Sequence, residues 1–311
     1  MTDNLKIFKA LADSTRLRIY RILTNHELNV NEIVEVLLMG QSRVSRHLKI
    51  LTESSLLSCR RDGSFVYYQA EQDEKKRPLM DFIEKSKHHQ DEVLKDLQRA
   101  KVIVAERKKK TRVFFNEVAA TWDDLKQDLF GDFDLNQTLM ECLYTGKQNY
   151  KTIVDLGCGT GEFLSLINSR VKKCIGVDSS PKMLELARDR FSNIKSDYEF
   201  RLGELEHLPV KEKEVDSAII NMVLHHIAVP SQVIYEARRV LAPGGSIVIA
   251  DLAKHTSKSI KERFGGAWMG FEKEEIEKWL TDAGFKLISV STYSVYLNQS
   301  INVFKSKKVT D

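Results

Sequence analysis

Cysteine is scarce in these 311 residues: Cys59, Cys142, Cys158 and Cys174 are the full set, and they lie far apart. With no C-x-x-C pair, neither a disulfide scaffold nor a zinc ribbon is expected, and a reducing compartment suits the chain. Runs of 18 or more apolar residues are missing as well, so no membrane-spanning helix is expected. The opening stretch MTDNLKIFKAL lacks the basic start and apolar core of a secretory signal. These absences lead to the expectation of a cytoplasmic, globular protein. What is present supports it: 42% hydrophobic and 30% charged residues provide for real cores, and the length is comfortable for two domains.

The net charge of +4 is unevenly spread. Residues 1–110 hold 22 Lys and Arg against 16 Asp and Glu, whereas the remainder hold 26 against 28. A positive field over the front third suits a polyanion binder, although a solvated charged surface explains so small a surplus equally well. Pattern is more informative. Residues 4–12, 14–24 and 31–38 carry apolar positions at helical spacing, with Asp13-Ser14 placed to cap the second helix and Asn29 or Asn31 the third. QSRVSRHLKIL, residues 41–51, then forms a fourth helix. Val44, Leu48 and Leu51 make its core stripe and leave Gln41, Ser42, Arg43, Ser45, Arg46 and Lys49 outward. LLSCRRDGSFVYYQA, residues 56–70, alternates, breaks at Asp62-Gly63 and resumes, as a β-hairpin does. Short helices followed by a basic hairpin predict a mostly-α winged helix-turn-helix over residues 1–72.

LADSTRLRIYRIL, QSRVSRHLKILTESSLL and RRDGSFVYYQ together resemble the ArsR-type transcriptional regulators, over roughly residues 4–70. The resemblance implies a homodimer that binds double-stranded operator DNA with inverted-repeat symmetry. The recognition helix would lie in the major groove and the hairpin wing against the backbone. Arg43 and Arg46 then suit guanine edges and Gln41 suits adenine. Ser42, Ser45 and Lys49 suit phosphates, and Arg60 and Arg61 on the wing suit phosphate or the minor groove.

Many relatives in that family release DNA when metal binds cysteines on the third helix. Here the corresponding stretch is ELNVNEI, residues 27–33, with Asn29 and Asn31 in the cysteine positions. Neutral amides are poor ligands for arsenic(III) or zinc. A second family site pairs D-x-H with H-x-x-E. His89 and Glu92 match its latter half, but Lys76 and Pro78 stand where the former is needed. No metal is therefore expected. Residues 73–110 read as a helical dimerisation or linker segment, with Leu79, Phe82, Ile83, Val93, Leu94, Leu97 and Val104 along one apolar edge.

At TIVDLGCGTGEFL, residues 152–164, an apolar strand ends in Asp155, turns through Gly157, Gly159 and Gly161, and opens a helix. Glycines allow the backbone to approach a ligand closely, with a helix N-terminus facing its negative group. A nicotinamide-binding turn is the rival, but its third glycine would fall on Glu162. CIGVDSS, residues 174–180, supplies a second strand ending in Asp178, whose carboxylate suits ribose hydroxyls. VDSAIINMVLHHI, residues 215–227, supplies a buried strand with Asn221 and two histidines at its end. Strands alternating with helices predict a doubly wound, Rossmann-like α/β parallel sheet over residues 111–311, with ligands beyond the carboxyl ends of the strands.

That succession is similar to the class I S-adenosylmethionine-dependent methyltransferases across residues 113–305. By resemblance, Asp155, Gly157, Cys158, Gly159 and Gly161 hold the methionine end of S-adenosyl-L-methionine. Asp178 takes the ribose, with Ser179 and Met183 beside the adenine. Glu204, where aspartate is commoner, and Leu205 contact the adenine edge, and Asn221 closes the floor below the methyl group. FFNEVAATWDDL, residues 114–125, is expected as a lid, although Phe115 and Trp122 also suit a core. Residues 250–271 are expected as the opposite wall. His225, His226 and His255 are base candidates by position, and each suits a structural role equally well. Arsenite as acceptor would need several thiolates, which Cys142, Cys158 and Cys174 do not supply together.

Three functions fit: a DNA-binding regulator carrying a working small-molecule methyltransferase, a non-enzymatic regulator that uses S-adenosylmethionine or S-adenosylhomocysteine as effector, and an enzyme whose front domain only dimerises. Arg43, Arg46 and the Arg60-Arg61 wing weigh against the third. The methyl acceptor, quinone or other, is left open.

Overall fold

The computed structural model describes residues 2–62, 65–71, 90–145 and 150–309. Gly63 of the hairpin turn, and Lys76, Pro78, Leu79, Phe82, Ile83 and His89 of the linker segment, lie outside them. The chain packs as two units, Met1–Lys108 and Lys109–Asp311. No helix among the described residues is long and apolar enough to cross a membrane.

The first unit opens with α1 (Thr2–Leu11) and α2 (Ser14–Asn25). Asp13 accepts the N–H of Arg16 at 2.9 Å and so caps α2. A short strand β1 (Leu28–Asn29) leads to α3 (Val30–Leu37). Between the two candidate caps, Asn29 is the one used: it exchanges hydrogen bonds with Glu32 in a reciprocal capping box. Leu38, at φ +54, ends α3, and α4 (Gln41–Glu53) follows Gly40. Val44, Leu48 and Leu51 of α4 are fully buried, as their spacing requires. The wing is β2 (Leu57–Asp62) paired antiparallel with β3 (Phe65–Ala70), with β1 on the other side of β3.

Helix α5 (Gln90–Val118) starts in this unit. Its buried edge is Val93, Ala100 and Val104, with Asp96 between them, also fully buried. Asp96 takes a two-pronged hydrogen bond from Arg18, at 2.7 and 2.9 Å, and another from Arg99 at 2.5 Å. Arg107 donates to the carbonyl of Glu27 at 2.8 Å. Only part of the expected apolar edge is buried: Val93, Ala100 and Val104 pack within the unit, while Leu94 stays exposed, as does Val102.

The second unit opens with the end of α5, α6 (Trp122–Phe130) and α7 (Leu135–Tyr144). Strands and helices then alternate: β4 (Thr152–Leu156), α8 (Glu162–Ile167), β5 (Lys173–Asp178), α9 (Pro181–Phe191), β6 (Asp197–Leu202), β7 (Val215–Asn221), α10 (Pro230–Val240) and β8 (Leu241–Leu252). The chain ends with α11 (Lys258–Arg263), α12 (Lys273–Asp282), β9 (Phe285–Val295) and β10 (Gln299–Lys308). The sheet runs β6-β5-β4-β7-β8-β10-β9. Its first five strands are parallel, but β10 is antiparallel to both β8 and β9. A wholly parallel sheet was expected; the short turn at Tyr296–Asn298 permits only an antiparallel return. Ile153, Val154, Ile219, Ile220 and the β8 run Ile247–Ile249 are fully buried, the mark of strands covered on both faces. Connections diverge on either side of β4, so the crevice for a ligand lies at the carboxyl ends of β4, β5 and β7.

Candidate functional site

A cavity of about 630 Å³ occupies that crevice. Asp155, Gly157, Cys158, Gly159, Asp178, Ser179, Met183, Glu204, Leu205 and Asn221 all line it. Gly161 does not. It caps α8 at φ +72, and a Cβ there would meet Ala187 at 3.2 Å, so it serves the close packing of α8 on α9. Gly157 turns the chain at φ +81, and an added Cβ would fall 2.6 Å from Val223. Asp178 secures the turn by accepting the N–H of Gly159 at 2.9 Å and of Ser180 at 2.8 Å.

The expected lid segment reaches the cavity: Phe115 and Trp122 both line it, edge-to-face at 5.1 Å. Asp123 fastens α6 to the glycine turn, taking hydrogen bonds from Thr160 at 3.0 Å and Arg190 at 2.5 Å. Burial pushes this carboxyl up, but Lys126 and Arg190 outweigh it and hold it below the ordinary value. Lys126 also pairs with Glu162. From α5, Arg112 lies 3.7 Å from Glu204, and Asn116 accepts the hydroxyl of Ser180 at 2.7 Å.

The described lining holds seven carboxylates (Asp123, Asp132, Asp134, Asp155, Glu162, Asp178 and Glu204) against one basic side chain, Lys126, and so favours a cation. Asp155 is fully buried and its Oδ1 has no hydrogen-bond partner. Burial, and then the nearby charge of Asp178, push its pKa up to about 7. Burial also raises Asp178, against the N–H groups of Ser180 and Gly159 that favour its charged form. The Oδ1 of Asn221 is likewise buried and unpartnered. Among the described residues, no group of three or more His, Cys, Asp or Glu is arranged to hold a metal ion.

Of the three histidines, only His226 lines the cavity. His225 turns inward, with Nδ1 2.8 Å from Asp251, and His255 accepts the N–H of Ser257 at 3.2 Å outside the cavity. Residues 250–271 do not form the opposite wall either. They brace its back: Ala267 and Trp268 donate to the carbonyl of His225 at 2.8 and 3.0 Å, and the Trp268 indole donates to Ile227 at 2.6 Å.

In the first unit, Gln41, Ser42, Arg43, Ser45, Arg46 and Lys49 are all exposed along α4, as is Arg61 on the wing. The expectation for Arg60 needs correction. It forks onto Glu27 at 2.6 and 3.2 Å, a pair almost wholly buried, which leaves Arg61 as the outward arginine of this strand. His47, on the same helix, is also turned in, 3.8 Å from Asp13.

Comparison with known proteins fits both units. Residues 154–249 match the family model described as a methyltransferase domain, and residues 13–58 that of bacterial regulatory proteins of the arsR family. A demethylmenaquinone methyltransferase of Thermotoga maritima is 30% identical over 168 residues, covering 53% of this chain and 69% of that protein. The chain joins a winged helix of the arsR family to a methyltransferase domain. An arsenite methyltransferase of Halobacterium salinarum is 30% identical over 151 residues, 45% of this chain and 39% of that protein. A solved geranyl diphosphate methyltransferase in complex with GPP and sinefungin shares the fold, with a TM-score of 0.50 at 17% identity over 56% of this chain and 77% of that one. The chain spans 30% to 56% of the length of the first curated relatives it matches.

Sequence reasoning missed several parts of this methyltransferase cavity. Lys126, Thr160 and Arg190 fasten the lid through pairings between segments distant in sequence, which no spacing rule exposes. The Gly131–Asn136 stretch also lines the cavity. Its local signal was a turn, FGDFD, with Gly131 at φ +57.

Proposed function

We propose that residues 109–311 transfer a methyl group from S-adenosylmethionine to a small molecule, and that the winged helix binds operator DNA as a homodimer. The observation that carries the first part is Asp155: a buried carboxylate with an unpartnered oxygen in a cavity lined by six further acids calls for a cationic ligand. The cavity residues fit this cofactor. Asp178 and Glu204 offer acceptors for ribose and adenine groups, and Asp155 and Asn221 offer buried acceptors toward its charged end. When bound, S-adenosylmethionine supplies an electrophilic methyl on a cationic sulfur. The protein's part is orientation and water exclusion, through Phe115, Trp122 and the Asp123 fastening. Calorimetric titration with S-adenosylmethionine, followed by a methyl-acceptor screen, tests this reading.

Support for the dimer comes from Leu5 and Phe8 of α1 and Leu94 and Val102 of α5, large apolar side chains each at least half exposed. Support for DNA binding comes from the exposed Gln41, Arg43 and Arg46 on α4.

A second reading, regulation by the cofactor without turnover, is favoured by one observation. Thr111 and Phe115 of α5 line the cavity, while earlier turns of the same helix pack in the DNA-binding unit. The cationic S-adenosylmethionine and neutral S-adenosylhomocysteine would then act as distinct effectors.

A further inference from the structure

His226 lies in the short 3-10 turn Leu224–His226 that follows β7, a residue 6% exposed, with its ring edge-on to Phe115 at 4.7 Å and 88°. Its Nδ1 is 3.2 Å from the carbonyl of Gly265. A carbonyl only accepts, so Nδ1 carries the hydrogen and Nε2 presents its lone pair. That Nε2 is buried and has no partner, although the residue lines the cavity. An unmatched buried acceptor is costly, and the bound molecule that relieves it must bring a donor.

We propose that Nε2 of His226 accepts the hydroxyl hydrogen of a neutral phenolic methyl acceptor and takes that proton during transfer. The inference rests on the methyltransferase reading above and names its acceptor class. The acidic lining disfavours carboxylate acceptors, and Phe115, Trp122 and Phe163 supply aromatic walls. Cys158 is the cysteine of that lining, and burial raises its thiol well above the ordinary value, which leaves no soft thiolate for arsenite. In the step, the phenolic oxygen's lone pair forms the O–CH3 bond while the S–CH3 pair returns to sulfur. The hydroxyl proton passes to Nε2, so the unit positive charge leaves sulfur as it arrives on imidazole, and water takes the proton on product release. Burial, and then the charge of the neighbouring His225, hold His226 well below its ordinary pKa, so its acceptor form is present throughout the neutral range.

The test compares phenol with anisole, which lacks the donor, by NMR titration of the full chain loaded with S-adenosylhomocysteine. Phenol should bind about tenfold more tightly than anisole. His226→Phe should bring the ratio to about one, and His226→Gln, which keeps an acceptor, should restore part of the preference. S-adenosylhomocysteine affinity measured in each variant reports an intact pocket. Equal binding of phenol and anisole by the loaded wild type overturns the proposal alone. A phenol preference that persists in His226→Phe does so too. Failure of the wild type to bind S-adenosylhomocysteine overturns the methyltransferase reading and this proposal with it.

Discussion

The carboxylate of Asp178 accepts the backbone N–H of Gly159 across 2.9 Å, tying the end of β5 to the turn that follows β4. One side chain thus both shapes the glycine turn and presents an acceptor to the cavity. Asp178→Ala should weaken S-adenosylmethionine binding by about 100-fold, the loss of roughly 3 kcal/mol of charge-assisted hydrogen bonding. Calorimetry gives the affinity, and amide exchange at Gly159 and Ser180 should accelerate in the same variant. Unchanged affinity would remove Asp178 from the site.

Asp155 should make cofactor binding depend on pH. Its carboxyl, raised to about 7 by burial and by Asp178, is largely protonated at pH 6, and a cationic ligand favours the charged form. Binding should release a proton, and affinity should rise about fivefold from pH 6 to pH 7. In the ligand-free protein the sign is opposite: the folded pKa exceeds the unfolded one, so this group's stability contribution is lost as pH rises toward 7. Asp155→Asn should flatten both dependences. A wild-type affinity flat over this interval would contradict the assignment.

Arg46 and Arg60 should fail in different ways. Arg46→Ala, on the exposed face of α4, should cost about 1–3 kcal/mol on the preferred operator and less on random DNA. The operator should be an inverted repeat with half-sites about 10 bp apart, or a multiple of that. Arg60→Ala should instead destabilise the wing by about 3 kcal/mol, because it strands Glu27. Thermal melting and salt-matched DNA titrations separate the two. A stable Arg60→Ala protein with weakened DNA binding would return Arg60 to the interface.

The effector reading predicts that operator affinity differs among ligand-free, S-adenosylmethionine-bound and S-adenosylhomocysteine-bound protein. The coupling should be about 1–3 kcal/mol, and operator DNA must change cofactor affinity by the same factor. Three equal affinities in one salt would show the two activities to be merely tethered.

Local rules carried much of this fold. The stripe Val44, Leu48, Leu51 gave the face of α4, and the order of strand ends gave Asp155, Asp178 and Asn221. What local rules missed was pairing between distant segments. Nothing in RRDGSF marks Arg60 as the partner of Glu27, 33 residues earlier. The buried Asp96 was equally hidden within a charged helix, since its burial depends on Arg18, 78 residues away. Residues 250–271 brace the back of the cavity instead of forming its opposite wall, because adjacency to a strand end does not fix which surface a loop covers.

Methyl transfer itself tests the central claim most directly. S-adenosylmethionine labelled in its methyl group is incubated with the full chain and a small-molecule fraction, with Asp178→Ala as the control. The label should pass to a small neutral molecule with wild type and not with the variant. Tight binding of S-adenosylmethionine with no label transferred to any fraction would contradict the enzymatic account and leave the cofactor as an effector.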